Sequence, residues 1–161
     1  LFLSFLEENR IFFITKFHFA NTFIQHSNIF GDINRSNTFL NLPSNLDVYG
    51  LLKLSDMLIT DYSSVYFDYL LLNRPILFYP YDLDYYVNKD RGLIFDYDEY
   101  TPGRKAYTLE ELTEKIKSII ANGFNDGYQD ARNRLKNRIF EIKEKSGSHY
   151  IIEFLKKYQR M

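Results

Sequence analysis

The chain has 161 residues, a hydrophobic content of 45% and a formal net charge of −1, which fits one globular domain with a substantial core. The nearly balanced charge argues against a general nucleic-acid-binding protein, because such proteins are normally distinctly basic. The absence of Cys excludes a disulfide framework, a thiolate nucleophile and a cysteine metal site, and it fits a reducing cytoplasm.

Neither a membrane-spanning helix nor a secretory signal is expected from the residues present. No apolar run reaches the roughly 18–20 residues that a membrane-spanning helix needs. The chain begins at Leu1 rather than Met, and the residues that follow lack the basic start of a secretory signal. We interpret the sequence as a piece of a longer chain.

Strand-like and helix-like segments alternate along the chain. Strands are predicted where β-branched and aromatic residues cluster between turn signals, at residues 11–17, 37–42, 56–60 and 75–80. Helices are predicted from capping residues and 3.6-residue periodicity, at residues 44–55, 64–72, 108–123, 128–145 and 148–158. Residues 20–37 and 82–103 are expected to be loop-rich. This alternation predicts an α/β fold, a Rossmann-like parallel sheet with helices on both faces.

The predicted domain organisation follows from these elements. Residues 1–10 are expected to end a linker helix, and residues 11–145 to form a nucleotide-donor-binding domain. Residues 146–161 are expected to form a C-terminal helix that packs back on the domain or towards another lobe.

The segment Thr60–Ser64 interrupts a long apolar run with the polar sequence TDYSS. In a parallel α/β sheet, ligands bind beyond the carboxyl ends of the strands, where loops lead into helix N-termini. Ser63 and Ser64 would offer hydroxyls there, and the first N–H groups of the next helix would add donors for an anion. We predict Ser63 as the N-cap and Asp61 as the residue that orients the turn. The simpler alternative is that Ser63 only caps a helix.

Asp68 lies four residues after Ser64, on the same helix face and one turn deeper. A carboxylate in this place is poorly suited to touching phosphate but can accept hydrogen bonds from hydroxyls, such as those of a ribose. The alternative is that Asp68 satisfies a buried donor.

Cationic side chains follow two other predicted strands. Lys16 and His18 come at the end of the strand at residues 11–17, and an imidazole there can donate to a phosphate oxygen. Lys89 and Arg91 lie in the segment after the strand at residues 75–80. A lone His after a strand is more often a packing residue. Together, however, the three strand ends predict a site for a phosphate-bearing ligand.

The chain resembles the C-terminal half of the bacterial CDP-glycerol glycerophosphotransferases, which are the polymerases and primases of teichoic acid. The resemblance is strongest between Asp47 and Gly103, and its upstream sequence TKFH is similar to a Lys-x-His-Pro element of the family. Its signals are Ser55-Asp56, the block Thr60–Ser64, Asp68, Arg74-Pro75, Tyr79–Asp82, Tyr86, Arg91-Gly92 and Pro102-Gly103.

This resemblance implies the C-terminal lobe of a GT-B glycosyltransferase fold, with the acceptor entering between two lobes. It implies transfer of glycerol phosphate from CDP-glycerol or CDP-ribitol to a lipid-linked polyol-phosphate chain, with release of CMP and no cofactor. The protein would then be bacterial, and either cytoplasmic or peripheral on the inner face of the cell membrane.

The resemblance also implies roles for particular residues. Thr60, Ser63 and Ser64 would hold the donor phosphates, and His18 would contact the pyrophosphate as the catalytic residue. Arg91 is expected to be a second cationic phosphate contact. Phe19 replaces the family's Pro, so the turn that holds His18 is expected to be less rigid. The family's other histidine, the candidate general base, belongs to an N-terminal lobe that this sequence lacks, so we expect little turnover from this chain alone.

Two alternative functions stay open at this stage, together with two interpretations of charged segments. The chain could be a nucleotide-sugar glycosyltransferase or epimerase lobe of the same fold, or a truncated nucleotide-binding fragment without activity. The basic helix at residues 128–145 favours a solvated surface over contact with an anionic membrane. The acidic sequence DYDEY, Asp96–Tyr100, favours an exposed loop over a metal site.

Overall fold

The structure, a computed structural model, describes residues 2–16, 37–43, 45–89, 92–140 and 147–158. Its strands are β1 (Phe13–Thr15), β2 (Phe39–Asn41), β3 (Leu58–Thr60), β4 (Ile76–Phe78) and β5 (Arg104–Lys105). Its helices are α1 (Phe2–Glu8), α2 (Tyr49–Leu52), α3 (Val65–Tyr69), α4 (Leu83–Lys89), α5 (Tyr97–Tyr100), α6 (Leu109–Ala121), α7 (Gln129–Ile139) and α8 (Gly147–Tyr158). A 3₁₀ turn, Leu70–Leu72, continues α3.

All strand pairs in the described residues are parallel, but they form two sheets. β1 pairs with β2, and β3, β4 and β5 form a three-stranded sheet in that order. Parallel strands need crossover connections, which helices provide here between β3 and β4 and between β4 and β5. The register places Thr60 beside Phe78, and Phe78 beside Lys105.

Side chains of the three-stranded sheet alternate between its two faces, and each face has its own core. Leu77 packs in a cluster with Phe5 and Leu6 of α1 and with buried residues of α6. Ile76 and Phe78 pack on the opposite face with Tyr66 of α3 and Leu135 of α7. This period of two confirms the prediction of helices on both faces.

Several boundaries differ from those predicted. The segment at residues 82–103 contains α4 and α5, so it is more ordered than predicted. Helix α2 begins at Tyr49 with Val48 as its N-cap, so it starts later than the helix predicted at residues 44–55. The prediction for residues 20–36 lies outside the described residues.

The two-residue strand β5 was not predicted, and Gly103 explains how it reaches β4. A Cβ atom at Gly103 would lie 2.1 Å from the carbonyl oxygen of Ile76, so only glycine fits this approach. The Pro102-Gly103 signal therefore has a structural cause, the close approach of two backbones.

Helix α7 is not the uniformly solvated basic surface that its sequence predicts. Arg132 is fully buried, and its guanidinium forms a double ion pair with Asp126 and a hydrogen bond with Asn73 Oδ1. Arg138 pairs with Glu99 and stacks over the Tyr100 ring at 4.8 Å. Lys143 and Lys145 lie outside the described residues.

Helix α8 has 12 residues, none of which is buried. Its apolar side chains lie on one side of the helix, and Ile151 and Phe154 are each about 60% exposed. Across the described residues, no helix combines the length and the apolar content that crossing a membrane requires. Packing of this helix against another lobe stays a prediction.

Candidate functional site

The carboxyl ends of β3, β4 and β5 lie side by side, as the sequence predicts for the ligand edge of the sheet. The backbone N–H of Tyr79 donates to the carbonyl of Thr60 at 2.8 Å, which extends the pairing of β3 and β4 by one residue. Thr60 is buried at the end of β3, and the chain then turns directly into α3.

The turn Asp61–Ser64 carries the predicted hydroxyls. Ser63 and Ser64 are both exposed, and Asp61 Oδ1 accepts a hydrogen bond from the Ser63 N–H at 3.0 Å, which confirms that Asp61 orients the turn. The N-cap is Ser64 rather than Ser63, and the Ser64 side chain makes no capping hydrogen bond. The prediction of Ser63 as the cap is wrong by one residue.

Helix α3 has only five α-helical residues before the 3₁₀ turn, so its dipole is smaller than the nine-residue prediction implied. Asp68 lies half-buried on this helix and accepts a long hydrogen bond from the Tyr49 hydroxyl at 3.4 Å. The carboxylate therefore contacts a protein hydroxyl in this structure, and its role in binding a ribose stays a prediction.

Several tyrosine side chains surround the turn and connect it to the segment that follows β4. The Tyr62 hydroxyl donates to Asp82 Oδ1 at 2.7 Å, and its ring stacks on the Tyr86 ring at 4.1 Å. The Tyr97 hydroxyl donates to the Asp61 carbonyl at 3.3 Å. Burial and the neighbouring Asp82 carboxylate raise the pKa of Tyr62, so the phenol stays protonated and remains a donor. Burial likewise raises the pKa of Tyr97.

An open cleft of about 200 Å³ lies beside this turn. Its walls include the rings of Tyr62, Tyr66, Phe67, Tyr86, Tyr97 and Tyr100. Ser64 also lines this cleft. The arrangement therefore offers an aromatic wall next to an exposed pair of serine hydroxyls.

Lys105 is a cation at this edge that the sequence analysis did not identify. It lies in β5, paired with Phe78 of β4, and its side chain is 19% exposed. Its Nζ lies 5.5 Å from the centre of the Tyr97 ring. Its ammonium pairs with Asp98 Oδ1 at 2.9 Å. The two-residue strand gave no periodic signal that would have pointed to it.

The remaining predicted site residues are less closely grouped. Lys16 is exposed and follows β1, which belongs to the other sheet. His18 and Arg91 lie outside the described residues. The acidic segment Asp96–Tyr100 forms α5, where the Asp96 carboxylate caps the helix by accepting from the Glu99 N–H at 2.9 Å.

Comparison with known proteins identifies the family. The model of the family "CDP-Glycerol:Poly(glycerophosphate) glycerophosphotransferase" matches residues 2–157. The chain belongs to this family. The resemblance drawn from the Thr60–Ser64 block and its neighbours is thereby confirmed.

Curated members of the glycerophosphotransferase family align with about half of the chain. A teichoic acid glycerol-phosphate primase of Bacillus subtilis (strain 168) is 46% identical over 54% of this chain and 23% of its own length. A teichoic acid poly(ribitol-phosphate) polymerase of Bacillus spizizenii (strain ATCC 23059 / NRRL B-14472 / W23) is 43% identical over 51% of this chain and 13% of its own. The alignments with these two relatives therefore span less than a quarter of either relative.

Solved structures of a family member share the fold. The wall teichoic acid polymerase TagF superposes with a TM-score of 0.69 and 30% identity, over 89% of this chain and 33% of that one. A variant soaked with CDPG superposes with a TM-score of 0.67 and 31% identity, over 89% of this chain and 34% of that one. The predicted fold class, a Rossmann-like α/β lobe of a GT-B-type glycerophosphotransferase, is confirmed.

Proposed function

We propose that this chain is the donor-binding half of a glycerophosphotransferase in the synthesis of teichoic acid or a related cell-surface polymer. The reaction moves glycerol phosphate from CDP-glycerol to a polyol-phosphate chain and releases CMP. One observation carries the proposal: in a member of this family, the Ser63 and Ser64 hydroxyls are exposed on a turn at the carboxyl ends of parallel strands, beside an open cleft.

In the proposed complex, the donor diphosphate lies against the Thr60–Ser64 turn. Ser63 and Ser64 donate hydrogen bonds to its oxygens, with Thr60 and Asp61 holding the turn, and Asp68 accepts from a ribose hydroxyl. Lys16, His18 and Arg91 supply positive charge and further donors to the diphosphate. These donors stabilise the negative charge that develops on the phosphate oxygens during transfer.

The transfer step is an in-line displacement at the β-phosphorus. An acceptor hydroxyl oxygen forms a bond to that phosphorus while the bond to the bridging oxygen breaks, and CMP leaves with that oxygen. The acceptor proton passes to a base. Positioning and charge stabilisation carry most of the catalysis in such reactions, which suits a site made of hydroxyls and cations.

The family assignment favours this function over a nucleotide-sugar glycosyltransferase or epimerase lobe. Within the family, glycerol and ribitol remain two candidates for the polyol, since the relatives include both a glycerol-phosphate primase and a poly(ribitol-phosphate) polymerase. We propose a cytoplasmic location, with the acceptor chain reached at the inner face of the membrane.

Isothermal titration calorimetry of the chain with four nucleotides tests the donor assignment. We expect CDP-glycerol or CDP-ribitol to bind more tightly than UDP-glucose and UDP-N-acetylglucosamine. A preference for the UDP compounds would support the glycosyltransferase alternative and overturn the proposal.

Alanine variants of Ser63 and Ser64 test whether these two residues bind the donor. Replacing both Ser63 and Ser64 by Ala is expected to weaken CDP-glycerol binding by about tenfold or more, since hydrogen bonds to charged groups contribute about 1.5–3 kcal/mol. Ser148→Ala, which removes an exposed hydroxyl from α8, is the matched control and should bind as the wild type does. Equal binding by the double variant and the control would remove the serines from the site.

His18 is tested by transfer rather than by binding alone. In a chain that carries out transfer, His18→Ala is expected to lower the rate of CMP release by about a hundredfold, the scale on which a lost transition-state donor acts. An unchanged rate would exclude His18 from the reaction.

A further inference from the structure

The hydrogen bond between Tyr62 and Asp82 joins two connections that meet at the ligand edge of the sheet. Tyr62 belongs to the turn after β3, and Asp82 follows β4, so the two residues are 20 positions apart in the sequence. The bond is short, with 2.7 Å between the hydroxyl and Oδ1, and it is partly buried. The Tyr62 ring is also stacked on Tyr86 of α4, with only 17° between the ring planes.

The same turn is held at a second point by another element. The Tyr97 hydroxyl of α5 donates to the Asp61 carbonyl, and the Asp61 carboxylate in turn accepts from the Ser63 N–H. The Ser64 side chain makes no capping hydrogen bond that would fix it to its own helix. The position of the serines therefore depends on contacts that reach the turn from α4, α5 and the segment after β4.

Asp82 has no favourable direct part in binding a diphosphate. A carboxylate repels phosphate oxygens at the same edge of a sheet, so its charge alone would weaken binding. Its contact with the Tyr62 hydroxyl gives it a different task, which is to fix the side chain that precedes Ser63. A small displacement of binding groups can cost large factors in binding and rate.

We propose that Tyr62 and Asp82 are positioning residues, whose hydrogen bond places the Ser63 and Ser64 hydroxyls for the donor diphosphate. This inference rests on the proposed function. In this proposal, Tyr62 and Asp82 act through their contact with each other rather than by touching the donor. Tyr62, the aromatic residue of the TDYSS block, thereby has a role of its own.

The test uses calorimetric titration of CDP-glycerol into the chain and three variants. Tyr62→Phe keeps the ring on Tyr86 but removes the donor, and Asp82→Ala removes the acceptor; each is expected to weaken binding about tenfold. Asp82→Asn keeps an oxygen that accepts from Tyr62 and is expected to bind within about threefold of the wild type.

The sign of the Asp82→Ala effect decides between positioning and simple electrostatics. Loss of a repelling charge would tighten binding, whereas loss of the Tyr62 anchor loosens it. The double variant Tyr62→Phe/Asp82→Ala should be no weaker than either single variant, since both remove the same contact. The melting temperature of each variant is measured first. The titrations are then done well below that temperature, so that a loss of affinity is not caused by unfolding.

The outcomes distinguish this inference from the function on which it rests. If the wild type binds CDP-glycerol and Tyr62→Phe binds equally well, the positioning role is wrong and the proposed function stands. Tighter binding by Asp82→Ala, or equal losses in Asp82→Asn and Asp82→Ala, would also overturn it. If the wild type binds none of the nucleotides, the proposed function fails and this inference fails with it.

Discussion

The side-chain hydrogen bonds at the two ends of the β3–β4 pair differ in what they hold in place. At the amino end, Arg74 Nη1 donates to the carbonyls of Lys53 and Ser55, at 2.9 and 2.5 Å, and the Tyr69 hydroxyl also donates to the Ser55 carbonyl. The Ser55 hydroxyl donates to Leu52. Side chains at this end bind backbone carbonyl groups of neighbouring segments. We call it the closed end of the pair, and the carboxyl end the open end.

At the carboxyl end, comparable side chains hold a turn whose hydroxyls stay exposed. Tyr62, Tyr97 and Asp61 make the contacts, while Ser63 and Ser64 face solvent. The difference separates polar side chains that hold backbone groups together from the two exposed serines, for which we propose a role in binding a ligand. Substitutions at the closed end and in the core beside it should change stability, and substitutions at the open end should change binding.

The largest expected loss of stability comes from Arg132, whose ion pair with Asp126 is buried beside the closed end. Arg132→Met leaves the Asp126 carboxylate buried without its partner, which typically destabilises a protein by about 3–5 kcal/mol. Urea unfolding measures the loss, and Arg134→Met on the exposed side of α7 is the control. Equal stability of the two variants would show that the pair contributes nothing.

Gly103 tests the packing between β4 and the segment that leads to β5. Gly103→Ala forces a Cβ atom against the Ile76 carbonyl, and we expect a loss of about 1–3 kcal/mol, as for other overpacked cores. Gly50→Ala is the matched control because no atom lies within 4 Å of its added Cβ. In α2 that change should be neutral or stabilising. A Gly103 variant as stable as the control would contradict the close approach.

Tyr66, buried between α3 and the sheet, links stability to alkaline pH. Burial raises the pKa of Tyr66 to about 12, above the value of about 10 in the unfolded chain. A raised pKa gives stability that is complete below pH 10 and is lost as the pH rises towards 12. Tyr66→Phe cannot lose it, so at pH 11 the wild type should have lost about 1 kcal/mol more than the variant, relative to pH 8.

Urea unfolding at pH 8 and at pH 11 measures this difference. The exposed Tyr85→Phe is the control for removing a phenol at the surface. If the two variants show the same pH dependence, Tyr66 does not carry the effect.

The pattern of apolar residues predicted most of the secondary structure around the candidate site. The strand–turn–helix unit around Thr60–Ser64 is bounded by strong signals, a β-branched run before it and apolar residues after it, so its place at the sheet edge was predictable. The predicted N-cap was wrong by one residue, because two adjacent serines give the same local signal and the sequence does not distinguish between them.

Contacts between distant residues could not be predicted in the same way. Arg132 lies among exposed cations in the sequence, and only the fold brings Asp126 and Asn73 to it. The Tyr62–Asp82 bond depends on two connections meeting at one edge. Helix α5 did carry a local signal that was missed, since Asp96 caps it three residues before Glu99.

The smallest expected effect on stability comes from Ser64→Ala. Its comparison with Thr108→Ala distinguishes an N-cap whose hydroxyl stabilises its helix from one whose hydroxyl does not. The Thr108 hydroxyl caps α6 by accepting from the Glu111 N–H at 3.2 Å, so Thr108→Ala should cost about 1 kcal/mol. Ser64 makes no such bond, so Ser64→Ala should change the free energy of unfolding by less than about 0.5 kcal/mol. Both variants are measured by urea unfolding without nucleotide. A loss at Ser64 as large as that at Thr108 would mean that its hydroxyl stabilises the fold, and the contrast between the closed and open ends would not hold there.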